Sequence, residues 1–294
     1  MTQPRPAAIS APINRPLSGY LEVLKPRETA LITFIGAATA VVAGGGSLPL
    51  EMLLLTVVVI VTGSGGVNGL TNYLDRAVDG RMERTRSRAL PSGRIRPAAI
   101  VVLYASGLTA LGLFLAWLLN PWAAVAGLAG TVVSLVGRKS GFTHLLGGLA
   151  GAAPVVVGWL LVNPALSPTL LFLVLLVLVW VPLHVWSLML SYREDYLGGG
   201  VRIFPVSWRV ADAVKVLWGL CFLLYGVSLS GYLMMAPGWL YLAVANLLGL
   251  GLVYAGYRLW RGRGRGEAWR LYRLLTYPYL GIMFVVIMFD VGVI

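Results

Sequence analysis

Long apolar runs alternate with short polar links along almost the whole chain. A helix that crosses a membrane needs about 20 predominantly apolar residues, and the apolar pattern divides into nine segments near that length. It predicts helices over residues 28–44, 50–74, 97–119, 121–137, 142–162, 168–192, 211–235, 238–260 and 270–290. We therefore predict an all-α, polytopic membrane protein with nine transmembrane helices.

The first residues of the chain break this pattern. Residues 1–27 contain Pro and Arg but no apolar core, so they do not resemble a signal peptide. They predict a cytoplasmic N-terminal tail that ends in an interfacial segment, Leu17 to Arg27. Residues 28–294 are then predicted to form a single transmembrane domain.

The basic residues predict the orientation of the helices. If the N-terminus is inside, all 23 Lys and Arg residues fall in inner segments or at their helix ends, and the outer links contain none. Cytoplasmic loops of membrane proteins carry such an excess of positive charge. The split predicts a multi-pass protein of the cell (inner) membrane, with its N-terminus and its acid-bearing loops in the cytoplasm.

Composition supports the membrane assignment and excludes several kinds of site. The chain is 58% hydrophobic and 12% charged, whereas soluble domains carry roughly 25% charged residues. The net charge of +12 raises the question of nucleic acid, but arginines clustered between apolar runs indicate cytoplasmic loops instead, so no nucleic-acid partner is expected. The chain has one cysteine, Cys221, which excludes a multi-Cys metal site, and two histidines, His144 and His184, which argue against a multi-His site.

The end of the second predicted helix contains the first candidate site. Asn72, Asp75 and Asp79 lie at i, i+3 and i+7, which places them on one helical face within about 60° of each other. Carboxylate and amide oxygens are hard ligands of the kind that Mg²⁺ takes. The arginines that follow can hold phosphate through paired donors. A metal-bridged diphosphate is one interpretation; a charged loop that only sets topology is the other, and the spacing alone leaves both open.

A second candidate site lies where the sixth predicted helix ends. His184 and Asp195 are eleven residues apart, about three helical turns, so they share a face. Glu194 precedes Asp195, and Trp186 and Tyr192 lie between. An ionisable residue at membrane depth points to function, although His184 hydrogen-bonded to a neighbouring helix and acids anchored at the membrane interface would explain the same residues.

These residues resemble a known family. The aspartate-bearing stretch is similar to the aspartate-rich motif of the UbiA superfamily of intramembrane prenyltransferases, and more narrowly to the heme O synthases, or protoheme IX farnesyltransferases. One departure is Thr71, which takes the place of the superfamily's Asn, with Asn72 beside it. The similarity covers almost the whole chain and rests on five segments: Lys25 to Arg27, Asp75 to Gly93, Gly147 to Trp159, Trp180 to Pro205 and Trp269 to Asp290.

The resemblance implies a UbiA-type bundle that transfers a farnesyl group from farnesyl diphosphate to a vinyl group of heme B, giving heme O. Heme B is then a substrate, and Mg²⁺ is the cofactor. The implied metal ligands are Asp75, Asp79, Asn72 and Thr71, and the acids Glu194 and Asp195 join them as candidate catalytic groups. The implied substrate-binding residues are Lys25, Arg84 and Arg88 for the diphosphate, His184 for the heme, and the aromatic residues Trp186 and Tyr192.

Membrane lipid surrounds such an enzyme, and heme A synthase or the terminal oxidase assembly are its candidate partners. Two other interpretations stay open. One is a UbiA-type transferase that acts on an aromatic quinone precursor or a lipid. The other is a non-catalytic membrane protein, such as a transporter, but a transporter should show polar residues at the midplane of the membrane, and here the charges cluster at one face.

Overall fold

The computed structural model describes residues 16–136, 143–236 and 238–293, and these residues contain helices and no β-strand. The helices are α1 (Pro16–Val23), α2 (Pro26–Ala43), α3 (Leu50–Asp79), α4 (Ala99–Leu119), α5 (Pro121–Val136), α6 (Thr143–Leu160), α7 (Pro168–Ser191), α8 (Arg193–Gly198), α9 (Val210–Met235), α10 (Trp239–Gly262), α11 (Arg265–Leu274) and α12 (Leu280–Val293), with a π-helical turn, Leu275–Tyr279, between the last two. The predicted all-α fold is confirmed.

A helix lies at each of the nine predicted positions, but several boundaries differ. The second predicted helix, 50–74, continues without a break to Asp79 and ends at Gly80, whose backbone N–H caps it. No Pro or Gly interrupts the chain between Thr71 and Asp79, so the polar residues simply extend the apolar helix. The predicted interfacial segment, Leu17 to Arg27, is helix α1 followed by the first turn of α2.

Within the part of the chain that the structure describes, six helices are long and apolar enough to cross a membrane: α3, α4, α7, α9, α10 and the combined segment Arg265–Asp290. Pro121–Val136 and Leu146–Leu160 are apolar but shorter. The multi-pass membrane character is therefore confirmed, while the count of nine spans stays a prediction.

Consecutive helices pack side by side, and the last one closes the bundle. Each helix from α2 to α7 contacts the next one along the chain, α7 contacts α9, and α9 contacts α10. Helix α12 contacts both α10 and α2, which closes the bundle. Helix α2 also crosses α6, where Gly36 faces Gly158; a Cβ added to Gly158 would collide with the backbone of Gly36. Small residues of this kind let helices approach closely in lipid, and here they bring α2 and α6 together.

A polar layer covers one end of this bundle, which we call the charged end. It consists of α1, the loop between α3 and α4, and α8. A small apolar cluster of Val23, Ala89, Leu90, Ile95 and Val101 fastens the loop to α1 and α4. Glu22 adds polar contacts, since its carboxylate accepts the Ala89 backbone N–H at 2.9 Å and pairs with Arg94 at 2.5 Å. The arginine-rich loop is thus held in place by packing at both of its sides.

Candidate active site at the charged end

The last turns of α3 bring the predicted metal-binding acids to the charged end. Asp79 is buried, with 7% of its surface exposed, and its Oδ2 accepts a hydrogen bond from Arg88 Nη1 at 3.0 Å. The Thr85 hydroxyl donates to the Asp79 carbonyl at 2.9 Å. Asp75 lies one turn earlier on the same helix and is half-buried. The loop therefore folds back so that an arginine of the predicted phosphate site contacts an acid of the predicted metal site.

Asn72 and Thr71 are buried beside these acids and are already hydrogen-bonded. Asn72 Nδ2 donates to the Val23 carbonyl at 2.6 Å, which ties α3 to α1. The Thr71 hydroxyl donates to the Asn68 carbonyl at 2.9 Å. The Thr71 hydroxyl proton and one N–H of Asn72 are used within the protein, and the side-chain oxygens of both residues can still accept or ligate.

Three of the predicted substrate-binding and metal-binding residues line one cleft. Lys25, Asn72 and Arg88 surround a space of about 560 Å³, together with Arg27 and Glu28. Lys25 holds a left-handed backbone conformation, with φ of 50°, at the start of α2. Such conformations in non-glycine residues are costly and concentrate at functional sites. The cleft offers a basic lining next to the acids of α3, as a diphosphate site requires.

Arg84 lies on the other flank of the acids, against α8 and the end of α7. Its Nη2 donates to the Tyr196 hydroxyl at 3.2 Å, and its guanidinium carbon lies 5.1 Å from the centre of the Tyr192 ring. Burial raises the pKa of Tyr196, and the charge of Arg84 opposes this rise, so the phenol stays protonated at neutral pH. Arg84 Nε is buried and has no hydrogen-bond partner. This N–H group is therefore an unsatisfied buried donor.

The two acids of the second predicted site have different surroundings. The Asp195 carboxylate accepts the backbone N–H of Glu83 at 2.6 Å through Oδ1 and that of Arg84 at 3.2 Å through Oδ2. Glu194 is exposed on α8. The structure thus brings Asp195 to the loop that follows the first site, whereas Glu194 faces outward.

His184 lies in a column of aromatic rings. It stacks on Trp180 with ring centres 4.6 Å apart, and its other side meets Tyr272 at 4.7 Å. Its Nδ1 is buried and has no hydrogen-bond partner, so a backbone carbonyl does not satisfy this atom. Trp186, a predicted substrate-binding residue, packs against Phe204, with ring centres 4.5 Å apart.

The column continues to the charged end through residues that sequence reasoning missed. Tyr272 stacks on Trp269 at 5.0 Å, and Trp269 meets the edge of Tyr192 at 5.9 Å. Arg265 lies over the other flank of Tyr192 at 5.0 Å. The three missed residues are Arg265, Trp269 and Tyr272 on α11. Their spacing of four and three residues places them on one helical face. This spacing is visible in the sequence and could have indicated that they act together.

An apolar cavity of about 220 Å³ lies deeper in the bundle, between α2, α3, α4, α5 and α6. Gly63, Ser64 and Asn68 of α3 line it, and Asn68 Nδ2 donates to the Thr29 hydroxyl at 2.9 Å. Ser64, Asn68 and Asn72 succeed one another at intervals of four residues, so one face of α3 leads from the cavity towards Asp75.

The donor set fits Mg²⁺ held jointly with a phosphate ligand. Within residues 16–136, 143–236 and 238–293, no group of three or more His, Cys, Asp or Glu side chains converges on a point. Mg²⁺ is usually bound by only one or two carboxylates, with substrate phosphates and waters completing its shell. Asp75 and Asp79, beside a basic cleft, match that chemistry better than a cage made by protein alone.

Comparison with known proteins decides the family. The model of the UbiA prenyltransferase family matches residues 30–286. This chain belongs to the UbiA prenyltransferase family. Among its relatives, the protoheme IX farnesyltransferase of Desulforudis audaxviator is 35% identical over 283 residues, which cover 92% of this chain and 88% of the relative. The protoheme IX farnesyltransferase of Korarchaeum cryptofilum is 29% identical, over 93% of this chain and 94% of the relative.

Solved structures of the UbiA family share the fold. A digeranylgeranylglyceryl phosphate synthase superposes with a TM-score of 0.78 at 17% identity and covers 95% of this chain and 99% of its own. A UbiA homologue from Archaeoglobus fulgidus, bound to GPP and Mg²⁺, superposes with a TM-score of 0.69 at 18% identity, over 94% of this chain and 100% of its own. The predicted UbiA-type bundle is confirmed.

Proposed function

We propose that this prenyltransferase moves a farnesyl group from farnesyl diphosphate to a vinyl group of heme B and so makes heme O. Diphosphate is the leaving group, and water adds to the vinyl carbon that becomes cationic, which gives the hydroxyl group of the product. The observation that carries this proposal is the Asp79–Arg88 pair at 3.0 Å, beside a cleft that Lys25 and Asn72 also line. Acids for a metal and bases for a diphosphate meet there. The names of the relatives at 35% and 29% identity support the choice of donor and acceptor.

The residues of α3 provide for the departure of the diphosphate. Asp75 and Asp79, with the oxygens of Asn72 and Thr71, would hold Mg²⁺, which neutralises the leaving diphosphate as a Lewis acid when bound. Arg88 and Lys25 hold the diphosphate oxygens from the cleft. The buried Nε of Arg84 donates to the same group from the other flank. The binding of GPP and Mg²⁺ by the Archaeoglobus fulgidus homologue supports this assignment.

The cavity between α3 and α6 suits the isoprenoid chain. It is mostly apolar and lies on the membrane side of the acids along α3. Binding the chain there points its reactive end towards Asp75, and the apolar walls keep water away from the allylic cation that forms when the diphosphate leaves.

His184 is the residue that we assign to the heme. An unsatisfied polar atom in an apolar, membrane-embedded setting is unfavourable, and His184 Nδ1 has no hydrogen-bond partner. Heme iron would give the imidazole of His184 a polar partner. Because Trp180 and Tyr272 cover both faces of the imidazole, the ring approaches the iron by its edge. Trp186 lies two residues further along α7 and lines the same side of the bundle as Phe204.

Heme extraction from a heme-replete host that expresses the chain tests this function. We expect wild-type protein to convert heme B to a product with the mass of heme O, and Asp79→Ala to yield heme B only. Asp212→Ala is a matched control, because Asp212 is an exposed acid at the start of α9. Unchanged heme B beside a newly prenylated quinone precursor or lipid would overturn the assignment of the acceptor.

A further inference from the structure

Asp195 uses both oxygens of its carboxylate on the loop that follows α3. Oδ1 accepts the Glu83 backbone N–H at 2.6 Å and Oδ2 accepts that of Arg84 at 3.2 Å. Hydrogen bonds to an ionised acceptor are roughly twice as strong as neutral ones. A single side chain of α8 therefore fixes the backbone of two consecutive loop residues.

The residue next to Asp195 holds the side chain of the same arginine. The Tyr196 hydroxyl accepts a hydrogen bond from Arg84 Nη2 at 3.2 Å. The Tyr192 and Tyr196 rings lie 5.1 and 5.8 Å from the Arg84 guanidinium carbon. Backbone and side chain of Arg84 are thus both set by the segment Tyr192 to Tyr196.

One hydrogen-bond donor of Arg84 is unsatisfied within this arrangement. Its Nε is buried and has no hydrogen-bond partner. A buried donor that lacks a partner is unfavourable, so it persists only where the surrounding contacts hold the guanidinium in place. A diphosphate oxygen would satisfy it.

We propose that Asp195 is a positioning residue, which holds the loop so that Arg84 meets the diphosphate, and that it is not a ligand of the metal. This inference rests on the proposed function of the site. It differs from a second metal site at the end of α7, because there the acid would have to give its oxygens to a cation. Loss of a positioning residue should change the Kd of diphosphate, whereas loss of a metal ligand should change the Mg²⁺ concentration that the site requires.

Binding measurements on the purified full-length protein separate these roles. Inorganic diphosphate is titrated at saturating Mg²⁺, and Mg²⁺ is titrated at saturating diphosphate. For Asp195→Ala we expect the Kd of diphosphate to rise about tenfold or more, with the half-saturating Mg²⁺ concentration unchanged. Asp195→Asn keeps one acceptor oxygen, so its Kd should lie between those of wild type and Asp195→Ala. Asp212→Ala is the control, expected to match wild type.

A double-mutant cycle shows whether Asp195 acts through Arg84. If it does, Asp195→Ala combined with Arg84→Ala should weaken diphosphate binding no more than Arg84→Ala does alone. Backbone amide exchange at Glu83 and Arg84 should become faster in Asp195→Ala, and this readout needs no substrate.

The contrary results are distinct. Additive effects in the cycle, a shift confined to the Mg²⁺ titration, or unchanged amide exchange would each overturn the positioning role. Wild-type protein that binds no diphosphate would overturn the proposed function of the whole site instead.

Discussion

At the scale of single residues, Arg88 and His184 carry the two most specific assignments. Arg88 pairs with Asp79 and lines the cleft, with 36% of its side chain exposed. His184 is enclosed by rings and leaves only an edge to a partner. We assign Arg88 to the diphosphate and His184 to the heme, and the binding of each ligand can be measured separately.

Arg88→Ala should weaken the prenyl donor specifically. A charge-assisted hydrogen bond contributes about 1.5–3 kcal/mol, so we expect the KM for farnesyl diphosphate to rise about tenfold or more, with heme binding unchanged. Arg86→Ala is the matched control, because Arg86 lies on the same loop but is exposed and pairs with Glu83. An unchanged KM in Arg88→Ala would mean that the arginine serves topology only.

His184→Ala should remove heme binding. Wild-type protein mixed with ferric heme is expected to shift the Soret band, and His184→Ala to lose both the shift and the transfer activity. Asp75→Ala should keep the shift and lose only transfer, because Asp75 belongs to the metal site. If His184→Ala retains the spectrum and turnover, the imidazole is structural and the acceptor is not held by this residue.

At the scale of elements, α3 connects the deep cavity with the charged end. Ser64 and Asp75 are eleven residues apart, about 16 Å along the helix axis, and the face that they share lines the cavity and then carries the acids. A second element, the π-helical turn at Leu275–Tyr279, contains Pro278. The indole N–H of Trp180 donates to the Leu275 carbonyl at 2.8 Å, so this turn fixes the ring against which His184 stacks.

Filling the cavity should change the preferred chain length of the donor. A Cβ added to Gly63 meets no atom within 4 Å, so Gly63→Leu places its side chain in the cavity rather than in a clash. We expect transfer from farnesyl diphosphate to fall at least several-fold more than transfer from the shorter geranyl diphosphate.

Gly107→Leu is the control for this experiment. A Cβ at Gly107 also meets nothing within 4 Å, but Gly107 lies on the exposed side of α4 and outside the cavity lining. Rates from both donors should stay near wild type in this variant. Equal losses with the two donors in Gly63→Leu would exclude the cavity as the site of the chain.

At the scale of the whole molecule, the separation of charge predicts that the charged end faces the cytoplasm. Ser87→Cys lies in the loop at the charged end and Ser47→Cys in the link between α2 and α3, and both positions are exposed. A membrane-impermeant maleimide should label Ser47→Cys in intact spheroplasts, and Ser87→Cys only after lysis. The native Cys221 is buried and gives a low background. The reverse labelling pattern would invert the topology.

The sequence by itself determined the helices, the separation of charge and the first acidic motif. These features depend on residues that are close together along the chain. The length of an apolar segment predicts a membrane-spanning helix, and a spacing of three or four residues places side chains on the same helical face. Asn72, Asp75 and Asp79 could therefore be assigned together, on a helix that proved five residues longer than predicted.

Only the tertiary structure decided which of these residues meet. Asp195 reaches Glu83 across 112 residues, Trp180 reaches Leu275 across 95, and Trp186 turns away to Phe204. Such pairings depend on how each helix is rotated and crossed against its neighbours, which small residues such as Gly36 and Gly158 permit but do not specify in the sequence. For the same reason, spacing along the chain could only place Asp195 on one face with His184, whereas packing brought its carboxylate to the backbone of Glu83 and Arg84.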